Sequence, residues 1–166
     1  WKVQPEDTLF DRGGGGKQVA DMLRSQGYPV RTIGFGEAIT PPLKYRVGLP
    51  EKKEVREEKT TYFNKRAEMY GKARLLFDPV ARGGEDKVFS LPDTPQYAEL
   101  RRQLLLIPLL YNSEGVLKML PKSKPASSIS KEKTLTDIIG HSPDEADAFV
   151  LFLHALTGKK IKVGGN

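Results

Sequence analysis

The chain has 166 residues, of which 38% are hydrophobic and 29% are charged, and its formal net charge is +6. This composition is typical of one soluble globular domain with a real core, since no apolar run approaches the roughly 18 residues that a membrane helix requires. The absence of cysteine excludes disulfides, zinc–thiolate sites and thiol catalysis, and two histidines leave little room for a histidine-rich metal site. A bound metal would be held mostly by carboxylates, which favours hard cations.

The N-terminal part of the chain predicts a strand–helix–strand unit. A short apolar step ends at Asp11, the glycines of 13–16 follow, and residues 17–26 have helical spacing. Residues 29–36 alternate apolar and polar side chains, which predicts a second strand. Because a helix between two strands is the usual crossover of a parallel pair, we expect an α/β fold. Asp11 would then lie at the end of a strand, where sites in open α/β sheets gather.

The glycine run allows positive φ angles and a close approach of another chain segment. On residue types alone, Asp11 is equally typical of a residue that merely caps a tight turn. A P-loop is excluded because Lys17 is followed by Gln18 instead of Ser or Thr, and Asp11 stands where the first P-loop glycine belongs. The dinucleotide pattern G-x-G-x-x-G fails too, since Gln18 occupies the position of its third glycine.

The middle of the chain predicts two helices between loops. Residues 37–60 are rich in charge and interrupted by prolines, which favours a long exposed loop. Residues 62–77 carry an apolar stripe at helical spacing, with basic residues expected on solvated faces: Lys65, Arg66, Lys72 and Arg74. Residues 80–94 predict a loop around a short strand at Val88 and Phe89, and a third helix is expected over 95–106.

The C-terminal part predicts a hairpin, a basic loop and a last helix. Apolar runs at 105–111 and 116–120, separated by a polar segment with a glycine, are typical of a β-hairpin. Residues 121–134 predict a positively charged loop. The last helix is expected over 143–157, with nearly apolar faces that favour burial against the sheet, and the tail 158–166 is expected to be disordered.

The start of the last helix is acidic. Asp144 and Asp147 are three positions apart, so they are expected on the same helix face. Carboxylates at a helix N-terminus are stabilised by the helix dipole, which accounts for Asp144 and Glu145 without any further role. Asp147 lies deeper in the helix, and a buried carboxylate needs either a charged partner or a metal ion.

Three stretches of the chain stand out together: 10–17 (Phe-Asp-Arg-Gly-Gly-Gly-Gly-Lys), 64–70 (Asn-Lys-Arg-Ala-Glu-Met-Tyr) and 142–148 (Ser-Pro-Asp-Glu-Ala-Asp-Ala). Their order and spacing resemble the C-terminal nuclease domain of the terminase large subunit of tailed bacteriophages. The resemblance implies an RNase H-like fold, in which a mixed sheet is flanked by helices, here with an added β-hairpin, as one domain over 1–157. It also implies a DNA endonuclease that cuts concatemeric duplex DNA during packaging, in the cytoplasm of the bacterial host.

The resemblance implies a cluster of acids that holds two divalent ions, Mg²⁺ or Mn²⁺, for phosphodiester hydrolysis. Matched motif by motif, Asp11 and Asp144 are the expected metal ligands and catalytic residues, and Asp147 is a further candidate that ranks below Asp144. The family also implies partners other than duplex DNA, namely the terminase ATPase domain, the small terminase subunit and the portal of the procapsid. A membrane is not among the expected partners.

Basic residues near these motifs are candidates for contacts with DNA phosphates, which hold the duplex without reading its sequence. The expected set comprises Lys17, Lys65, Arg66, Lys122 and Lys124. Any one of them is also typical of an ordinary surface charge.

One feature departs from the family. Its first catalytic aspartate lies on an opening strand, within a three-stranded meander that precedes the equivalent of Asp11, whereas ten residues precede Asp11 here. No Walker motif is present either. We therefore expect a fragment of a terminase nuclease domain without this meander and with one metal ligand fewer. Two alternatives stay open: another RNase H-like nuclease such as a junction resolvase, or a non-catalytic DNA-binding or docking module.

Overall fold

The computed structural model describes residues 3–41, 44–47, 54–57, 61–78, 91–124, 127 and 131–157. The helices lie at Gly16–Ser25 (α1), Lys65–Phe77 (α2), Ala98–Leu106 (α3), Leu135–Ile139 (α4) and Asp144–Thr157 (α5). The strands form three pairs: Leu9–Asp11 (β1) with Arg31–Ile33 (β2), Lys44–Val47 (β3) with Glu54–Glu57 (β4), and Leu110–Tyr111 (β5) with Leu117–Lys118 (β6). The first pair is parallel and the others are antiparallel, so the predicted α/β class is confirmed at the level of mixed helices and small sheets.

The predicted strand–helix–strand unit is confirmed. Strand β1 ends at Asp11, which pairs with Ile33 of β2, and α1 crosses over and contacts both strands. The backbone N–H of Arg12 donates to the carbonyl of Ile33 at 2.7 Å and extends the pair by one bond. Strand β2 is shorter than predicted, because a turn begins directly after it and is closed by a bond from Glu37 N–H to the Gly34 carbonyl.

The glycine run makes the turn between β1 and α1, and both predicted uses of glycine are confirmed. Gly14 has a φ of 57°, in the left-handed region that side chains disfavour. Gly16 lies so close to Asp11 that a Cβ atom there would overlap the Asp11 carbonyl oxygen. The helix therefore begins directly against the end of the strand, which only a residue without a side chain permits.

The expectation of a loop over 37–60 is confirmed at 37–41 and wrong at 44–47 and 54–57, which are strands. Strands β3 and β4 form an antiparallel pair with Lys44 opposite Glu57 and Val47 opposite Glu54. Residues 44–47, Lys-Tyr-Arg-Val, do alternate polar and apolar residue types, but the run has only four residues and stands in a stretch rich in charge and proline. The short strand predicted at Val88 and Phe89 and the tail 158–166 lie outside the described residues.

Helix α2 confirms the predicted helix, and every N–H of its first turn has an acceptor. Asn64 precedes the helix, and its side chain accepts the N–H of Ala67 at 3.0 Å. The N–H groups of Lys65 and Arg66 donate at 2.9 Å to carbonyls of the turn after β2. This start of α2 is therefore attached to the end of the β1–β2 unit.

The prediction that the basic residues of α2 face solvent is wrong for Lys65 and Arg66, which are both 7% exposed. It is confirmed for Lys72 and Arg74, which are exposed. The difference follows from position on the helix, because the first turn faces the β1–β2 unit and α5. Each buried cation there has a carboxylate partner.

The C-terminal part follows the predicted order, with one additional helix. The third helix is confirmed with a 3-10 first turn at Pro95–Tyr97, and the hairpin is confirmed as β5 and β6. The described residues of 121–134 are not helical, as predicted. The short helix α4 was not predicted; it is capped by Thr134 and Asp137, which bond each other's backbone N–H groups.

Helix α5 lies at the centre of the molecule and contacts α2, α3 and β1. The core is made by the inner faces of these helices, by β6 and by α4, through residues such as Met69, Leu117, Leu135 and Val150. The expected burial of α5 on nearly all sides is wrong for its outer face, where Phe152 is 47% exposed and Leu156 is 52% exposed. Among the described residues, no helix is long and apolar enough to cross a membrane.

Candidate active site

Asp147 is buried in the first turns of α5 and binds three side chains from other parts of the chain. Arg66 donates to its carboxylate from Nε at 3.2 Å and from Nη2 at 2.9 Å, and the Tyr70 hydroxyl donates at 2.8 Å. The Nζ atom of Lys122 lies 2.7 Å from the second oxygen, Oδ2. Both oxygens of Asp147 are thus occupied by protein donors, which is how a buried carboxylate is stabilised.

The guanidinium of Arg66 is held on its faces as well as at its edges. It lies 5.7 Å from the ring centre of Phe35 and 5.6 Å from that of Tyr70. Stacking of this kind adds to the ion pair when the cation is desolvated. Arg66 therefore ties the segment after β2, helix α2 and helix α5 together at one point.

Tyr70 contributes a proton donor that stays neutral. Burial raises the pKa of its phenol, and the negative charge of Asp147 raises it further. The hydroxyl therefore donates to Asp147 throughout the ordinary pH range.

Asp144 lies one turn earlier on α5, and its side chain is 74% exposed. Ser142 donates its hydroxyl to Asp144 at 2.6 Å, and Lys122 Nζ lies 3.4 Å from the same oxygen. The hydrogen bond from Ser142, and then the positive charge of Lys122, lower the pKa of Asp144. The predicted common face of Asp144 and Asp147 is confirmed, since one ammonium group contacts both.

Lys122 reaches this position from the loop that was predicted over 121–134. Its carbonyl accepts the N–H of Thr136 at 3.0 Å and the hydroxyl of Thr136 at 2.7 Å. The neighbouring carbonyl of Pro121 accepts the N–H of Leu135 at 2.9 Å. The backbone of Lys122 is thus fixed to the start of α4, so the origin of its side chain is defined.

The start of α5 is also held by Gln103 of α3, which is fully buried. Its amide oxygen accepts the N–H of Ala146 at 3.0 Å, and its amide nitrogen donates to Glu145 and to Glu99. Gln103 satisfies a helix N–H that has no partner within α5. The sequence analysis missed this residue; its signal was a polar side chain on the face of α3 that carries Leu100 and Leu104.

Asp11 lies on the same face of β1 as Leu9, the face that packs against the core. Residues two apart on a strand share a face, and Leu9, two positions before Asp11, packs against the core to which α5 contributes. Ile33, which pairs with Asp11, packs against the same core. One Asp11 oxygen accepts the N–H of Gly13 at 3.0 Å, so this residue also caps the turn.

A continuous set of contacts leads from the end of β1 to the start of α5. Strand β2, which pairs with Asp11, leads directly into Phe35, whose ring contacts Arg66. Arg66 in turn binds Asp147. The C-terminal end of the β1–β2 pair and the N-terminal end of α5 therefore belong to one packed region.

The predicted DNA-contacting residues all have acidic partners. Lys17 lies 2.6 Å from Asp21 on the surface of α1, and Lys124 lies 3.8 Å from Asp137. Lys122 contacts Asp144 and Asp147, whereas Lys65 and Arg66 are buried in their pairs. A phosphate would have to compete with an exposed pair at Lys17 and Lys124 and with a buried pair at Lys65 and Arg66. At Lys122 it would have to compete with exposed Asp144 and buried Asp147.

A second buried carboxylate, Glu68 of α2, was missed by the sequence analysis. Its oxygens accept from Lys72 at 2.6 Å, from Lys65 at 2.8 Å and from the N–H of Thr40 at 2.8 Å. Burial by itself would raise the pKa of Glu68, but these bonds lower it to about 2. The cluster attaches the segment around Thr40 to α2, next to the Arg66 network.

The donor set fits a hard divalent cation in part. Asp144 offers an exposed, ionised carboxylate, and Asp11 offers a half-buried carboxylate of which one oxygen accepts the Gly13 N–H. Asp147 fits poorly, because both its oxygens are bound by protein donors. Within the described ranges, no three acidic or histidine side chains stand close enough together to share an ion.

In comparisons with known proteins, no family model, no curated protein and no solved structure matches this chain. The interpretation of the site therefore rests on its residues and their geometry.

Proposed function

We propose that this chain is part of a metal-dependent DNA endonuclease of the terminase type, with an RNase H-like fold. One observation carries the proposal: an exposed, ionised Asp144 stands at the start of α5, which is held by Arg66 and Gln103, and α5 contacts the strand that ends at Asp11. Two carboxylates from distant parts of the chain are thus presented by packed elements of one region. That arrangement supports the metal-ligand roles that the sequence motifs imply for both.

In this proposal the three aspartates have different roles. Asp11 and Asp144 would hold a divalent cation, because their carboxylates keep oxygens that are not bound by buried donors. Asp147 is a positioning residue that fixes the start of α5 through Arg66 and Tyr70. A bound Mg²⁺ or Mn²⁺ would supply activation of water and stabilisation of the leaving oxygen of the phosphodiester.

The proposed substrate is duplex DNA, bound through its backbone. Among the candidates, Lys17 and Lys124 have exposed pairs that phosphates can replace, since exposed ion pairs contribute little. Lys65 and Arg66 fit a structural role better. The ATPase domain, the small terminase subunit, the portal of the procapsid and the cytoplasm of a bacterial host belong to the same proposal.

A plasmid-nicking assay with Mn²⁺ tests the proposal on the full chain. We expect Asp11→Asn and Asp144→Asn to lower the nicking rate by about 100-fold, because each removes a charged ligand of the cation. Asp93→Asn is the control, since this carboxylate is fully exposed and pairs with Arg101 away from the site. Nicking by Asp144→Asn at the rate of the unaltered chain would contradict the proposal.

A second candidate is a non-catalytic DNA-binding or docking module. The lack of a three-acid group among the described residues favours it. It predicts that the unaltered chain binds duplex DNA but does not nick it with Mn²⁺ or Mg²⁺. The variants Asp11→Asn and Asp144→Asn should then bind DNA as the unaltered chain does.

A further inference from the structure

The ammonium group of Lys122 lies between the carboxylates of Asp144 and Asp147. It is 2.7 Å from Oδ2 of Asp147 and 3.4 Å from Oδ1 of Asp144. A shared position between two carboxylate oxygens is also what a bound cation takes. The side chain is 37% exposed, so it can leave toward solvent without disturbing the core.

The charges of this cluster already balance. Arg66 and Lys122 supply two positive charges, and Asp144 and Asp147 supply two negative ones. Asp147 keeps a buried cation, Arg66, even when Lys122 leaves. Asp144 has no second cationic partner among the described residues, so Lys122 decides the local charge that an incoming cation meets.

We propose that Lys122 is an internal counter-cation that weakens the binding of divalent ions at Asp144. The inference rests on the proposed function, since it assumes that Asp144 is a metal ligand. When a divalent ion binds, the ammonium group has to leave Asp144, because two cations beside one exposed carboxylate repel each other. Metal occupancy would then depend on the ion concentration that displaces Lys122.

A titration of the full chain with Mn²⁺, monitored by calorimetry and by the EPR signal of free Mn²⁺, tests the counter-cation role of Lys122. We expect Lys122→Met to bind Mn²⁺ about tenfold more tightly than the unaltered chain, the scale of effect of one unit charge near a divalent ion in a solvated site. Lys122→Gln keeps a hydrogen-bond donor for Asp147 and should show the same increase in Mn²⁺ affinity. It is included in case Lys122→Met does not fold. Lys122→Arg should restore the original affinity.

Lys124→Met is the matched control, because Lys124 carries the same charge as Lys122, lies two positions further along the chain and pairs with Asp137. Its Mn²⁺ affinity should stay within about twofold of that of the unaltered chain. Asp144→Asn added to each variant should abolish the tight binding of Mn²⁺. Such a loss would show that the Mn²⁺ ion binds at the Asp144 carboxylate.

The outcomes separate the two proposals. If Mn²⁺ binding depends on Asp144 but the neutral Lys122 variants bind no more tightly, the counter-cation role is wrong and the proposed function stands. If these variants lose DNA affinity while Mn²⁺ affinity is unchanged, Lys122 is a phosphate contact, which also overturns the inference. If no variant binds Mn²⁺ in a way that depends on Asp144, the proposed function fails and the inference fails with it.

Discussion

At the scale of single residues, the Arg66–Asp147 pair is the contact on which the site depends most. Both side chains are less than one tenth exposed, and they are 81 positions apart in the chain. The net contribution of a buried ion pair to stability is small, but removal of one partner leaves an uncompensated charge. The pair therefore acts as a specific connection between α2 and α5.

Arg66→Met should lower the free energy of unfolding by about 3–5 kcal/mol, because Asp147 would be left buried with fewer donors. Urea denaturation measures the effect. Arg74→Met is the control, since this residue is on the same helix but exposed, and it should change stability by less than about 0.5 kcal/mol. A loss below about 1 kcal/mol for Arg66→Met would show that the pair is dispensable.

Glu68 makes the stability of the protein depend on acid pH. Its pKa is lowered to about 2 in the folded state, so its contribution is complete above the unfolded pKa near 4.5 and is lost as the pH falls toward 2. The unaltered chain should lose about 3 kcal/mol more than Glu68→Gln between pH 6 and pH 2. Unfolding free energies across this range test it; Glu114→Gln, an exposed turn residue, should follow the unaltered chain. Parallel curves for the unaltered chain and Glu68→Gln would contradict the pairing of this carboxylate.

At the scale of elements, the region is assembled from the ends of secondary structures. The end of β1 carries Asp11, the first turn of α2 supplies Arg66, and the start of α5 carries Asp144 and Asp147. Gln103 of α3 holds the start of α5 by accepting a helix N–H. Helix starts and strand ends provide unpaired backbone groups, so polar side chains gather there.

Gly16→Ala should disturb the turn that follows Asp11, because its methyl group would overlap the Asp11 carbonyl oxygen. We expect a loss of about 1–3 kcal/mol, the usual cost of overpacking, although alanine is ordinarily the better helix residue. Gly15→Ala is the matched control, since a Cβ there meets no atom within 4 Å. Thermal or urea unfolding of both variants decides the matter: equal stability would mean that the strand and helix separate at little cost.

At the scale of the whole molecule, the net charge is +6, but the basic residues that were expected to contact DNA are all in ion pairs. Each of the five basic residues expected to contact DNA has an acidic partner within 4 Å. DNA binding would then consist of exchanging exposed surface pairs for phosphate contacts. The gain comes chiefly from the release of counterions from DNA.

This exchange predicts how binding responds to salt. The logarithm of the DNA association constant should fall linearly with the logarithm of the salt concentration, and Lys17→Gln should reduce the slope by about 0.9, equivalent to one phosphate contact. Arg66→Met, studied where it is folded, should leave the slope unchanged because Arg66 is buried. Fluorescence anisotropy with labelled duplex DNA measures both. A slope unaffected by Lys17→Gln would remove this residue from the interface.

Much of the local structure was predictable from the sequence. The strand–helix–strand unit, helices α2, α3 and α5, and the β5–β6 hairpin follow from periodicity and turn residues, which act between near neighbours in the chain. The pair β3–β4 was not predicted, since each strand has only four residues and stands in a stretch rich in charge and proline, where a short alternation is easily overlooked. Helix α4 is five residues long, too short to show a periodic signal.

By itself, the sequence determined which acids are candidate ligands and on which elements Asp11, Asp144 and Asp147 lie. Only the tertiary structure decided that Asp147 is enclosed by Arg66, Tyr70 and Lys122, whereas Asp144 is exposed. The reason is physical: whether a charged side chain is solvated or buried depends on the elements packed against it, and those elements come from distant parts of the chain. A local pattern specifies a helix face, and packing assigns that face its partners.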